Sequence, residues 1–248
     1  MIDKVQEFCK YAERGAYHWK ELKPNLKRFN AGLAARYEIS REIIAKHCRN
    51  PGVVIDAGCG DGAFTSTLAG LYKEAAVTGF DFDESAIRLA KEETAKKGFT
   101  NLNFLRGNAF EHIKSAGLIT ATDVIEHIFR PDEFMQDSFN ALTTDGFLFL
   151  STPVKTKEVP DDKYHVREFG IQELEGFSKS FGFTVVVHSA SHPWSCMKKY
   201  NTSYRFGLGK IRLYKYIYNA LTIYFKYNVF KNTSCPDPVM QYILLKKP

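Results

Sequence analysis

The sequence predicts an α/β protein on a doubly wound sheet, and three observations carry that prediction. First, Val53 to Gly62 reads VVIDAGCGDG, an apolar run that stops at Asp56 and enters Gly58, Gly60 and Gly62. Ala63, Phe64, Leu68, Leu71 and Tyr72 follow at helical spacing, so the stretch is a buried strand, a tight turn and a helix. Second, short apolar runs near residues 76–80, 103–106, 118–122 and 146–152 alternate with segments of helical period. Third, Asp81 lies 19 residues beyond Gly62, at the end of the second such run. That is the interval to an acid that accepts hydrogen bonds from ribose hydroxyls.

Residues 1–50 read as helices. Ile2, Val5, Phe8, Cys9 and Ala12 form one apolar stripe. After Pro24 a second runs through Leu26, Phe29, Leu33, Tyr37, Ile43 and Ile44, and Asn50-Pro51-Gly52 stops it. Between them Ala16-Tyr17-His18-Trp19 is aromatic and without helical period.

The glycine turn admits two ligands. Gly58 to Ala63 fits the loose dinucleotide fingerprint. A pyrophosphate would sit on the amides of this turn, however, where Asp56 and Asp61 bring negative charge. A ligand with an ammonium and a sulfonium and no phosphate suits two acids better, and S-adenosylmethionine is that ligand. Asp56, Gly58, Gly60 and Gly62 fill the four fixed positions of the D-x-G-x-G-x-G turn, so the stretch resembles motif I of the class I methyltransferases. That resemblance implies a Rossmann-like, seven-stranded doubly wound sheet with its last strand antiparallel. It also implies an N-terminal helical cap over the cofactor, with Tyr17, Trp19 and Arg36 as candidate contacts and Arg36 pairing with the cofactor carboxylate. Gly58, Cys59 and Gly60 would line the cofactor, and Asp81 would be the ribose acid with Phe82 beside the adenine. Asp83 and Glu84 instead suit the start of the helix Ser85 to Lys97. Asn108-Ala109, after the third strand, matches the pair that meets the adenine edge in relatives.

The fourth strand, Leu118 to Thr122, closes in Asp123-Val124-Ile125-Glu126-His127. The carboxyl end of a central strand faces the binding crevice, and three ionisable side chains there point to chemistry. D-V-I-E-H resembles the ubiquinone-biosynthesis O-methyltransferases and related sugar and small-molecule methyltransferases. His165-Val166-Arg167-Glu168-Phe169, ahead of a helix with Ile171, Leu174 and Phe177, extends the likeness. The two stretches also resemble small-RNA 3′-terminal ribose methyltransferases, where such residues hold a divalent metal. Carried over, the ligands would be Asp123, Glu126, His127 and His165, with Asp123 shorter than that family's Glu. Without a metal, His127 is the candidate general base, Glu126 orients it or serves instead, and His165 completes the catalytic set.

Thr184 to Val187 is a sixth strand and Met240 to Lys246 a seventh; an insert separates them. The chain thus divides into a cap (1–50), a core (51–187 with 239–248) and an insert (188–238). The insert is aromatic (Trp194, Tyr200, Tyr204, Phe206 and the tyrosines 214, 216, 218, 224 and 227), and its Tyr214, Ile217, Tyr218, Leu221 and Phe225 follow helical spacing. It reads as a substrate-recognition lid or, alternatively, a homodimer interface.

Net charge is +6, yet residues 177–236 contain no Asp or Glu. Such a one-signed region is either a solvated basic face or a surface toward phosphorylated substrate, nucleic acid or membrane. No apolar run is long enough to span a bilayer, and five scattered cysteines form no C-x-x-C pair, so the expectation is a cytoplasmic protein with reduced thiols. The resemblance implies an S-adenosylmethionine-dependent methyltransferase, methylating an oxygen of a small molecule or sugar. The basic insert suggests an anionic, phosphorylated or nucleotide-linked acceptor, as in a cell-surface glycan. A metal-dependent RNA ribose 2′-O-methyltransferase is the alternative, and a nicotinamide oxidoreductase a third reading.

Overall fold

The computed structural model describes residues 10–112, 115–206 and 209–248. The cap comprises α1 (Lys10–Arg14), α2 (Tyr17–Leu22) and α3 (Ala31–His47). The core follows as β1 (Val53–Ala57), α4 (Ala63–Leu71), β2 (Ala76–Asp81), α5 (Glu84–Thr94), β3 (Leu102–Arg106), α6 (Ala109–His112), β4 (Ala116–Thr122), α7 (Pro131–Ala141), β5 (Leu142–Pro153), α8 (Ile171–Ser180) and β6 (Thr184–Pro193). The chain ends in α9 (Trp194–Asn201), a hairpin of β7 (Tyr204–Phe206) and β8 (Gly209–Ile211), α10 (Leu213–Phe225) and β9 (Pro238–Lys246).

The seven-stranded sheet runs β3-β2-β1-β4-β5-β9-β6, a doubly wound order that reverses between β1 and β4. The first five strands pair in parallel. β9 is antiparallel to both neighbours, β5 and β6, as the sequence resemblance implies. Strand periodicity sorts the core into two layers. Ile55 packs with Met135 and Leu174 on one face; Val54, its neighbour in β1, packs with Ile44, Phe64 and Leu68 on the other. Both faces are covered by helices, so the parallel strands carry near-continuous apolar runs.

Ile2, Val5, Phe8 and Cys9 of the first stripe lie outside the described residues. Two local details depart from the sequence expectation. The second helix starts later than its stripe, because the Asn30 side chain accepts from the Leu33 amide at 3.1 Å and caps the helix there. Leu26 and Phe29 precede it in a turn. β6 continues to Pro193, so residues 188–193, placed in the insert, extend the sheet instead. Among the described residues no helix is long and apolar enough to cross a membrane.

Candidate active site

The carboxyl ends of β1 to β5 open into a cavity of about 790 Å³. Crossover helices place successive strand ends along one crevice at the switch point between β1 and β4. The cap closes it from above: Tyr11, Tyr17 and His18 from α1 and α2 line it, as do Arg36 and Tyr37 from α3.

The glycine turn needs its glycines for two reasons. Gly60 has φ +54, a left-handed conformation open to residues without Cβ. A Cβ there would also run into the Tyr11 hydroxyl, so the turn is packed directly under the cap. The Gly60 amide donates to Asp81 Oδ2 at 2.9 Å, and the Asp83 amide to Asp81 Oδ1 at 2.9 Å. Burial pushes the Asp81 carboxyl above its usual range, while those two amides favour the ionised form. Each of its oxygens retains a lone pair for a ligand hydroxyl.

Most residues singled out in the sequence meet here. Tyr17, Arg36, Gly58, Cys59, Asp81, Phe82, Asn108, Ala109, Asp123, Glu126, His127 and His165 all line the cavity. Asp83 caps α5, accepting from the Ser85 amide at 2.7 Å. Asn108 accepts from the Phe110 amide at 3.1 Å, which fixes its turn.

Four assignments are corrected. Asp56 does not reach the cavity: it is buried under the turn and accepts from the Thr65 and Thr120 hydroxyls at 2.6 and 2.7 Å. Asp61 is buried as well, facing α2 and accepting from the His18 amide at 2.9 Å. Trp19, read as a cofactor contact, donates its indole N–H to the Asp61 carbonyl at 2.6 Å and packs with Ala16 and Ala63. It fastens the cap to the turn. Gly60 shapes the turn without lining the cavity. The negative charge that suits a cationic ligand is therefore supplied by Asp81 and Asp123, one strand end removed from where the sequence placed it.

Burial raises the Asp56 pKa to about 6, against an unfolded value near 3.8. The folded state holds this proton more tightly, so stability from this residue is present below about pH 4 and falls as pH rises through 6. A shift of this size corresponds to about 3 kcal/mol. The gap in unfolding free energy between wild type and Asp56→Asn is expected to narrow or reverse by roughly that amount from about pH 4 to about pH 7. Denaturant titrations across that window check this; parallel pH curves would rule it out.

Asp123, at the end of β4, has φ +56, and Arg36 donates to its carboxylate. The guanidinium expected to hold a cofactor carboxylate is thus already paired within the chain. Three residues on, Glu126 is buried and accepts from the Thr152 hydroxyl at 2.9 Å. Burial, with Asp123 adding to it, raises its pKa to about 8, which favours the protonated carboxyl. Its carbonyl accepts from the Val166 amide at 2.7 Å, which ties the 153–170 loop to the end of β4.

His127 Nδ1 lies 2.8 Å from the Tyr164 carbonyl. A carbonyl only accepts, so Nδ1 carries the hydrogen and Nε2 the lone pair. Burial lowers the His127 pKa, the carbonyl opposing it. The His165 ring stands edge-on 4.9 Å away, and its Nδ1 is 2.7 Å from Glu168.

Glu126, His127 and His165 each offer one ligand atom, all within 4.8 Å of one another. Two imidazoles and a carboxylate suit a divalent transition metal, and each imidazole has its other nitrogen held by an oxygen, as metal ligands do. The donor set fits. Asp123, assigned as a fourth ligand, stands outside it because it is turned to Arg36.

Sequence reading missed the inner face of the cap. Tyr11 stacks on Tyr17 at 5.3 Å, and Tyr37 meets Phe64 at 5.0 Å. Tyr37 was counted as core; its hydroxyl, a polar tip that packing alone does not require, was the available signal. The insert also differs from expectation. None of its described residues lines the cavity. Tyr200, Tyr218 and Phe230 instead pack against Phe29, Ala31 and Ala35 at the start of α3. The cap and the 153–170 loop, rather than the insert, border the cavity.

A glycine turn over an acid-bounded crevice, on this strand order, defines the class I S-adenosylmethionine-dependent methyltransferase fold. The chain belongs to the methyltransferase-domain family, whose match covers residues 50–189. It is 32% identical over 111 residues to the ubiquinone biosynthesis O-methyltransferase of Glaesserella parasuis, covering 42% of this chain and 46% of that protein. It is 26% identical over 147 residues to the ribosomal protein L11 methyltransferase of Staphylococcus epidermidis, covering 58% and 41%. The chain thus spans about half the length of these curated relatives. Among solved structures, phosphoethanolamine N-methyltransferase 2 of Haemonchus contortus, in complex with S-adenosyl-L-methionine, superposes with a TM-score of 0.63 at 14% identity, over 96% of this chain and 58% of that one. Coclaurine N-methyltransferase bound to N-methylheliamine and SAH gives 0.57 at 17%, over 85% and 72%. These likenesses concern the fold, which hosts oxygen, nitrogen and protein acceptors alike.

Proposed function

We propose that the protein transfers a methyl group from S-adenosylmethionine to a hydroxyl oxygen of a small-molecule or sugar acceptor. The observation that carries this reading is His127 at the end of β4, its Nδ1 hydrogen held by the Tyr164 carbonyl and its Nε2 lone pair fixed as the proton acceptor. S-adenosylmethionine supplies a methyl on a sulfonium already activated for in-line displacement. Asp81 accepts its ribose hydroxyls, and the turn at Gly58 and Cys59 shapes the space beside them. Arg36, with five donors, serves Asp123 and a ligand carboxylate together. His127 takes the proton of the acceptor hydroxyl as its oxygen bonds to the methyl carbon, the carbon–sulfur bond breaks, and the electron pair leaves on the thioether of S-adenosylhomocysteine. Glu126, whose burial favours the protonated carboxyl, acts as a hydrogen-bond donor or orienting group.

The lining includes Glu21, Asp81, Asp83, Asp123 and Asp162 against Lys10, Arg14 and Arg36. That balance favours a neutral or cationic acceptor, and the basic insert, lying off the cavity, lends no support to a phosphorylated one.

The donor set of Glu126, His127 and His165 favours a second reading, a metal-dependent transfer to a ribose hydroxyl in RNA. There a bound divalent ion would lower the pKa of the acceptor hydroxyl, and His127 would be a ligand rather than a base. Transfer of labelled methyl into a fractionated cell extract, with and without chelator, decides between them. Chelator-insensitive label in a small-molecule or sugar fraction is expected; chelator-sensitive label in RNA would establish the second reading, and label in neither would sink both.

A further inference from the structure

The insert uses only one of its surfaces to grip the cap. Asn219 Nδ2 donates to the Leu26 and Phe29 carbonyls at 2.9 and 2.7 Å, and Asn228 Nδ2 to the Ala31 carbonyl at 2.8 Å. Tyr214, Tyr218 and Leu221 turn the same way, whereas Ile217 and Phe225, expected to pack with them, do not. Leu213, Ile217 and Tyr224, at spacings of four and seven, form an outward stripe with exposures of 43, 40 and 67%. Ile211 of the hairpin (43%) and Trp194 at the start of α9 (55%) add to this exposed apolar surface. A helix that is apolar on opposite faces and carries one charge, Lys215, has a second apolar environment to fill.

The charge around it is of one sign. No acid occurs in residues 177–236, which hold nine Lys and Arg. Lys231 is taken by Glu38 and Glu42. Lys210 and Arg212 before α10, and Lys226 after it, are exposed and make no ion pair among the described residues. Cations therefore bracket the apolar stripe at both ends.

We infer that this face of residues 194–227 is a docking surface for an anionic lipid bilayer, with α10 lying in the headgroup layer. Apolar side chains flanked by Lys and Arg, whose stems can lie along the boundary while their charges meet lipid phosphates, are what such seating requires. At 13 residues, roughly 20 Å, α10 is too short to span the hydrocarbon core and suits the interfacial plane. Charge complementarity selects this occupant. A two-fold contact between copies would set the same cations against one another. Nucleic acid would meet the cations and find Trp194 and Tyr224 to stack on, but it would leave the aliphatic Ile211, Leu213 and Ile217 without an apolar environment, which a bilayer supplies.

The test is co-sedimentation of the full chain with vesicles of phosphatidylcholine alone and of phosphatidylcholine with phosphatidylglycerol, at low and high salt. Binding to the mixed vesicles, weakened by salt and small on the neutral ones, is expected. Ile217→Glu with Tyr224→Glu should reduce partitioning by at least ~10-fold. Lys210→Gln with Arg212→Gln, two exposed residues with no ion pair among the described residues, should reduce it by roughly fivefold per residue, with thermal unfolding unchanged. Absence of binding to the mixed vesicles, or equal binding to both compositions, overturns the inference. So does a dimer in light scattering that the Ile217/Tyr224 pair abolishes, or retention on RNA without retention on vesicles.

Discussion

Replacing His127 with alanine is expected to lower the rate of methyl transfer by about 10²- to 10⁴-fold while leaving S-adenosylhomocysteine affinity unchanged, the span for loss of a positioned general base. His127 lies at the end of β4 with one nitrogen committed to a backbone carbonyl, so the tautomer is set before an acceptor arrives. The pH profile carries the same information. Burial lowers the His127 pKa below its ordinary 6.5, and a base acts only when deprotonated. Wild-type rate should therefore climb through a value below about 6.5 and level off by neutrality, and the alanine variant should lose that limb. Single-turnover rates across pH make the measurement. A variant with wild-type rate would remove His127 from the chemistry, and one that also loses S-adenosylhomocysteine binding would place it in the cofactor site.

Asp81→Ala is expected to weaken S-adenosylhomocysteine binding by roughly 1.5–3 kcal/mol, the range for hydrogen bonds to a charged group. Two losses combine in this substitution. Ribose hydroxyls lose an acceptor-only partner, and the amides of Gly60 and Asp83 lose theirs, so the turn under the cap is loosened. Asp81→Asn separates the two, because it keeps an oxygen for one amide and exchanges the other for a donor. Calorimetry should rank wild type above Asn, and Asn at or above Ala. Equal affinities in all three would exclude Asp81 from the site.

How much of this was legible depended on whether the signal was local. The turn at Gly58 to Gly62 announces itself because close backbone approach admits few residue types, and Asp81 follows at an interval that βαβ geometry dictates. Glu126 and His127 were legible because ionisable groups at a central strand end have few structural excuses. Asp56 and Asp61 misled for the complementary reason. A carboxylate beside a glycine turn looks the same in sequence whether it faces a ligand or is consumed by Thr65 and Thr120, one of them 64 residues away. Trp19 and the insert failed likewise: which face of a short aromatic helix packs is decided by partners distant in sequence, such as Tyr200 reaching the Phe29 carbonyl 171 residues back. Periodicity finds a helix; it does not name what the helix leans on.

The place of β9 governs the order in which the molecule can assemble. Among the described residues β6 pairs with no strand except β9, and β9 reaches back across a long span, with Lys246 opposite Phe147 of β5. Until residues 238–246 are synthesised, β5 presents an open edge and β6 has nothing to join. Such distant pairings close slowly, and an open hydrophobic edge is a template for the wrong strand. The cofactor half of the sheet, β3-β2-β1-β4-β5, is joined by parallel crossovers whose longest pairing, Val54 with Leu118, spans 64 residues against 99 for Phe147 with Lys246, and it can condense while the remainder is still emerging. A chain that condensed in this order would form the strand ends of its ligand crevice before the open edge of β5 is covered.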